Sequence, residues 1–119
     1  NLTAHPVLPG DPALLEQAVV NLISNALKYS NSATVDVALS QEERHAVIEV
    51  KDYGIGIAPE HAARIFERFY RVDKARSREL GGTGLGLAIV KHVANLHGGT
   101  AEVESQPGMG ATFRIVLPV

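Results

Sequence analysis

Cysteine and tryptophan are absent from this chain, and phenylalanine and tyrosine number three each. Without cysteine there is no disulfide framework and no thiolate metal centre, so packing alone must hold the fold, as suits a reducing compartment. Positive charge is not in excess either: 11 Lys+Arg against 13 Asp+Glu give a formal charge of −2. That argues against a nucleic-acid binder, which shows a basic balance or stripe. No apolar run approaches the ~20 residues that span a bilayer, and the N-terminus lacks a signal-peptide pattern. Internal repeats and low-complexity tracts are missing too. What is present is 119 residues with 45% hydrophobic content, read as one domain over residues 1–119 that buries roughly two-thirds of its unfolded surface. The chain starts at Asn1 rather than Met, so a domain of a longer protein is expected, with some working parts elsewhere.

Pro9-Gly10-Asp11-Pro12 reads as a loop ending in Asp11 as helix N-cap, with Pro12 at the first helical position. Leu15, Val19, Leu22, Ile23, Ala26 and Leu27 then recur at helical spacing, predicting a helix from about Ala13 to Tyr29. Thr34 to Leu39 alternates polar and apolar, and Ala46 to Lys51 does so more loosely after a charged turn around Glu42-Glu43-Arg44. Together they predict an antiparallel hairpin with one buried face. A short helix is expected over Pro59 to Phe66. Arg68 to Gly82 is charged and aperiodic, hence a long functional loop. A helix follows Gly84, with Leu85, Ala88, Ile89, Val93 and Leu96 as its apolar positions, and ends at Gly98-Gly99. Thr100 to Glu104 and Ala111 to Leu117 form a second hairpin around Pro107-Gly108-Met109-Gly110. This order predicts an α/β two-layer sandwich, one largely antiparallel sheet with its helices on a single face.

Gly81-Gly82-Thr83-Gly84-Leu85-Gly86 runs directly into that helix. Glycines leave the backbone amides open to a ligand, and the helix start adds unpaired N–H groups, a pairing that suits phosphate. A dinucleotide fingerprint needs a strand before its first glycine and wider spacing, and a Walker loop needs Gly-Lys-Ser/Thr; neither context is here. Asn21 and Asn25 share a helix face that Lys28 continues. Their amide oxygens suit Mg²⁺ beside phosphates, and they serve equally as polar residues on a wet helix face. Asp52-Tyr53-Gly54-Ile55-Gly56-Ile57 follows a buried strand. A carboxylate there can accept a hydrogen bond from adenine's amine, worth about 1.5–3 kcal/mol or roughly 10- to 150-fold in affinity, and would reject guanine's carbonyl. Taken alone, the segment also fits an ordinary Asp-x-Gly turn.

Asn21-Leu22-Ile23-Ser24-Asn25-Ala26-Leu27-Lys28-Tyr29 resembles the N box of sensor histidine kinases. Asp52 to Ile57 resembles their first glycine box, Phe66-Glu67-Arg68-Phe69-Tyr70-Arg71 their F box, and Gly82 to Leu87 their second glycine box. All four occur in the family's order and cover most of the chain. The resemblance implies the catalytic and ATP-binding domain of a two-component histidine kinase, in the superfamily shared with gyrase and the mismatch-repair ATPases. It implies the Bergerat ATP-binding fold: a mixed, mostly antiparallel sheet of about five strands with three helices on one face.

Carried over position by position, the resemblance makes Asn25 the Mg²⁺ ligand with Asn21 lining the site one turn earlier. Lys28 and Tyr29 lie near the phosphates and nucleotide, Asp52 reads the adenine amine, and Gly54, Gly56 and Ile57 shape its pocket. Residues 67–82 form the ATP lid, with Phe66 and Phe69 as anchors. Arg71, or Arg76 or Arg78, reaches the γ-phosphate, and Gly82, Thr83, Gly84, Leu85 and Gly86 hold the phosphates. Asn21, Lys28 and Arg71 are the expected catalytic set. Hydrolytic relatives carry a glutamate where this chain has Asn21, and an amide is no general base. Phosphoryl transfer to an acceptor is therefore expected over hydrolysis, with a weak ATPase and a non-catalytic nucleotide-binding or docking module as the alternatives.

The acceptor in this family is a histidine on a separate dimerisation domain, in a His-Glu or His-Asp motif followed by Leu-Arg. None of His5, His45, His61, His92 and His97 has that context, so surface or helix-capping roles are expected for them. The implied partners are ATP, that histidine-bearing domain and a response-regulator receiver domain, with no nucleic acid. The implied setting is cytoplasmic, in a parent that is a membrane-bound sensor, with the isolated domain monomeric.

Overall fold

A computed structural model of the protein describes residues 10–29, 34–68, 70, 86–105 and 108–118. Helix α1 (Pro12–Tyr29) begins as the sequence predicts. Asp11 caps it, its Oδ1 accepting from the Ala13 N–H at 3.0 Å and the Leu14 N–H at 3.3 Å, so two N–H groups that the helix cannot satisfy itself are paired. Ala18, Leu22 and Ala26, spaced by four, are its fully buried residues. Leu27, expected on this stripe, is half exposed, because each further residue turns the helix about 100° away from the core.

Strands β1 (Val35–Glu42) and β2 (His45–Asp52) pair antiparallel around the two-residue turn Glu43-Arg44, with Glu42 opposite His45. The short helix α2 (Pro59–Ala62) is one turn where the sequence suggested two. Ala58 has no side-chain oxygen to cap it. From there the chain advances by three-residue steps, Arg64 N–H to His61 C=O, Glu67 N–H to Arg64 C=O and Tyr70 N–H to Glu67 C=O. That tighter winding is poorly sustained beyond a few residues. It still turns Phe66 inward, edge-on to Phe113 with ring centres 6.2 Å apart.

Helix α3 (Gly86–Leu96) buries Leu87, Val90, Val93 and Ala94 and packs against α1. Strands β3 (Thr100–Ser105) and β4 (Ala111–Pro118) complete an antiparallel sheet in the order β1-β2-β4-β3. Four strands stand among the described residues where about five were expected. In β4 the alternation is complete: Ala111, Phe113, Ile115 and Leu117 are buried. Val50 and Val103 flank Phe113 from the neighbouring strands, and with the inner stripes of α1 and α3 they form one core. On the opposite face, Arg114 lies across from Glu49 and binds it at 2.6 Å, with Glu104 at 2.9 Å. These charge-assisted bonds hold the guanidinium above its ordinary range, Glu49 contributing most.

The consequence for function is placement. Because β4 inserts beside β2, the turn between β3 and β4 arrives at the end of β2, where Asp52 lies.

Candidate nucleotide site

Asp52 is the last residue of β2 and only 3% exposed. A carboxylate so buried needs partners. Its Oδ1 accepts from the Gly54 N–H at 3.1 Å and from the Ala111 N–H at 3.2 Å. Among the described residues both bonds go to Oδ1, which leaves Oδ2 for a ligand's donor. The loop after it carries Gly54, half-buried, Gly56 with φ 73°, and Ile57, half-buried.

The β3–β4 turn backs this loop. The Ser105 hydroxyl accepts from the Ile57 N–H at 2.7 Å and donates to the Gly110 C=O at 2.9 Å. The Gly108 N–H donates to the Ile55 C=O at 2.6 Å. Gly110, with φ 78°, lies directly against Asp52. None of these four contacts was anticipated from the sequence. The only local signal was the glycine pair of the Pro107-Gly108-Met109-Gly110 turn, which reads as a hairpin connection and says nothing of what it touches.

Beside Asp52, Tyr53 is exposed and its hydroxyl donates to Asp36 on the adjacent strand. The Lys51 ammonium lies 5.1 Å over its ring. The bond to Asp36 is the main cause of a raised phenol pKa, with desolvation and the Asp36 charge adding to it.

On α1, which packs against β2, Asn21 and Asn25 are both half-buried one turn apart. The Asn21 Nδ2 is buried and has no hydrogen-bond partner among the described residues. A buried amide left unpaired is costly and asks for an explanation. A polar ligand entering beside α1 would supply its partner, and the amide oxygens of such a pair suit a hard cation that keeps water and phosphate in its shell. Lys28 and Tyr29 fall in the last turn of α1, and their side chains lie outside the described residues. So do Phe69, Arg71, Arg76, Arg78, Gly82, Thr83, Gly84 and Leu85, and with them most of the expected lid; Gly86 is the first residue of α3.

At the start of that segment, Tyr70 is bonded to His61 through its hydroxyl and covered by the Arg64 guanidinium at 4.7 Å from its ring centre. Arg64 also pairs with Glu67 at 3.0 Å and holds the Glu67 carboxyl below its usual range. Phe66 is set into the core and the next turn is pinned on the surface.

The arrangement offers a buried acceptor at a strand end, an open loop beside it and a pair of amides on the neighbouring helix. Residues 10–119 match the family described as histidine kinase-, DNA gyrase B- and HSP90-like ATPase. The sensor-like histidine kinase SenX3 of Mycolicibacterium smegmatis is 56% identical over 118 residues, covering 98% of this chain and 30% of its own length. The chain thus spans less than a third of that relative. Among solved structures, the ATP binding domain of PrrB from Mycobacterium tuberculosis superposes with a TM-score of 0.76 at 34% identity, covering 98% of this chain and 76% of that one. Full-length ShkA in complex with AMPPNP gives a TM-score of 0.85 at 33% identity, over 98% of this chain and 24% of that one. The chain therefore belongs to the histidine kinase-, DNA gyrase B- and HSP90-like ATPase family, and its likeness within it runs to the ATP-binding domains of sensor histidine kinases.

Proposed function

We propose that this domain binds Mg-ATP and presents its γ-phosphoryl group to a histidine on a separate dimerisation domain, from which a response-regulator receiver domain takes it. The observation that carries the reading is Asp52: a nearly fully buried carboxylate whose Oδ1 is occupied by two backbone N–H groups, with Oδ2 left to accept from a purine amine. The Asn21 Nδ2, buried and without a partner among the described residues, supports a polar ligand beside α1.

In this reading Asn25 and Asn21 hold the Mg²⁺ side of the nucleotide, and Mg²⁺ supplies neutralisation of phosphate charge. Lys28 contributes a cation for the phosphates, Arg71 of the lid reaches the γ-phosphate, and the Gly82 to Gly86 backbone holds the rest of the chain of phosphates. Phosphoryl transfer asks the protein mainly to position groups and balance charge. Asn21 stands where a hydrolase needs a base, and an amide cannot take a proton from water, so transfer is favoured over hydrolysis. The parent setting that fits is a membrane-bound sensor with this domain on its cytoplasmic side.

Titration of Mg-ATP into the chain and into Asp52→Asn and Asn25→Ala tests the reading. Each substitution is expected to weaken binding about tenfold or more, the loss of one charged hydrogen bond or metal ligand. Chelating the divalent cation should weaken the parent and leave Asn25→Ala little changed. Binding that survives both substitutions within a few-fold would place the nucleotide elsewhere. Incubated alone with labelled ATP, the chain should gain no acid-labile label on its own histidines.

A further inference from the structure

We propose that Ser105 is a positioning residue for nucleotide recognition: its hydroxyl ties the loop after Asp52 to the β3–β4 turn and so fixes the face that Asp52 presents to a purine amine. The inference rests on the reading of Asp52 as the group that selects the base.

A hydroxyl has one proton to give and lone pairs to receive. Ser105 uses both, receiving from the Ile57 N–H and giving to the Gly110 C=O. The two partners belong to different segments, the loop after Asp52 and the β3–β4 turn. Ile57, 48 residues away in sequence, closes the glycine loop that starts at Asp52. Gly110 abuts the Asp52 backbone, and the next residue, Ala111, sends its N–H to Asp52 Oδ1. Through one oxygen, the loop that admits the ring is referenced to the strand that orients the carboxylate.

The hydroxyl is not what pairs the strands. Ser105 opposes Ala111 as the last register pair between β3 and β4, and that ladder uses backbone groups. Two further links run from this loop to the turn and β4, Gly108 N–H to Ile55 C=O and Ala111 N–H to Asp52 Oδ1. Neither fixes the Ile57 end. Without the hydroxyl the sheet keeps its register, and the 54–57 loop loses its anchor at the point where the base must fit.

The test compares ATP with inosine triphosphate, which carries a carbonyl where adenine carries its amine, by calorimetric titration in Mg²⁺. Ser105→Ala is expected to weaken ATP about tenfold while inosine triphosphate changes by less than about twofold, since its carbonyl has no proton to give Oδ2 where adenine's amine does. Ser105→Thr, which keeps the hydroxyl, should restore the ATP preference. Should Ser105→Ala not fold, Ser105→Cys, a weaker hydrogen-bonding group of similar size, should show the same loss of preference in smaller degree. Equal loss of both nucleotides with no rescue by threonine, or an unchanged preference, would overturn the role of Ser105. Asp52→Asn separates the two levels. If it abolishes the preference while Ser105→Ala does not, only the positioning role falls; if it leaves the preference intact, the base-reading assignment falls and takes this inference with it.

Discussion

Gly110 lies so close to Asp52 that a Cβ at position 110 would stand 2.2 Å from the Asp52 carbonyl oxygen, with φ at 78° besides. Gly108, two residues earlier, shares the positive φ at 79° but has nothing within 4 Å of that Cβ position. The pair separates two effects. Gly108→Ala bears only the left-handed backbone cost, about 1–2 kcal/mol. Gly110→Ala adds a collision with backbone that cannot yield by a rotamer change, so a total of about 3 kcal/mol or more is expected. Denaturant unfolding of the two variants checks the difference. Equal losses would mean that Gly110 is kept for its dihedral angle alone.

What could be read from the sequence divides along the same line. The Asp11 cap, the α1 stripe and both hairpins rest on neighbours within a few residues, and periodicity shows them. Asn21, Asn25 and Asp52 were legible because their chemistry stands out where they sit: amides in mid-helix, a carboxylate closing an apolar strand. The insertion of β4 between β2 and β3 was not legible, since alternation gives a strand's faces and not its neighbours. Everything that follows from that insertion was hidden with it: the Ala111 N–H on Asp52, the Gly110 contact and the Ser105 bridge. The sequence suggests a longer α2 than the single turn present because the apolar Ile65 and Phe66, both packed on the core, look helical although the chain reaches them by tighter turns.

Among the described residues, Asn21 keeps a buried Nδ2 without a partner. Replacing such a group with an apolar one removes a polar atom that gains nothing in the ligand-free fold, so Asn21→Ala should change unfolding free energy by less than about 1 kcal/mol in either direction. Mg-ATP affinity should nevertheless fall measurably in the same variant. Thermal unfolding with and without Mg-ATP reads both at once: the nucleotide-induced rise in Tm should shrink while the ligand-free Tm stays. A ligand-free loss of several kcal/mol would show that the amide serves the fold.

Tyr53 donates to Asp36 across the β1–β2 ladder, and this holds its phenol above the ordinary 10.0. A raised value in the folded state means that the neutral phenol is favoured there. Its contribution is present below the unfolded value and is lost as pH rises through the folded one. Alkaline titration followed by tyrosinate absorbance should show a late-ionising tyrosine that Tyr53→Phe removes and Asp36→Asn brings down. A titration curve unaltered by Asp36→Asn would deny the bond.

His97 connects the two long helices at their ends. Its Nδ1 lies 2.8 Å from the Val93 C=O within α3, and its Nε2 accepts the Asp11 N–H at 3.0 Å, at the residue whose carboxylate caps α1. The Asp11 N–H needs an acceptor at Nε2, so the ring's proton must sit on Nδ1 and point at Val93. Alanine at 97 removes both ring hydrogen bonds and some rigidity of the cap, and should cost about 1–2 kcal/mol. The discriminating measurement is amide hydrogen exchange. In His97→Ala, protection should drop at Asp11, Ala13 and Leu14, at the start of the helix that carries Asn21 and Asn25, while the β2–β4 ladder keeps its protection. Loss confined to the end of α3 would mean that His97 only closes its own helix and does not join it to α1.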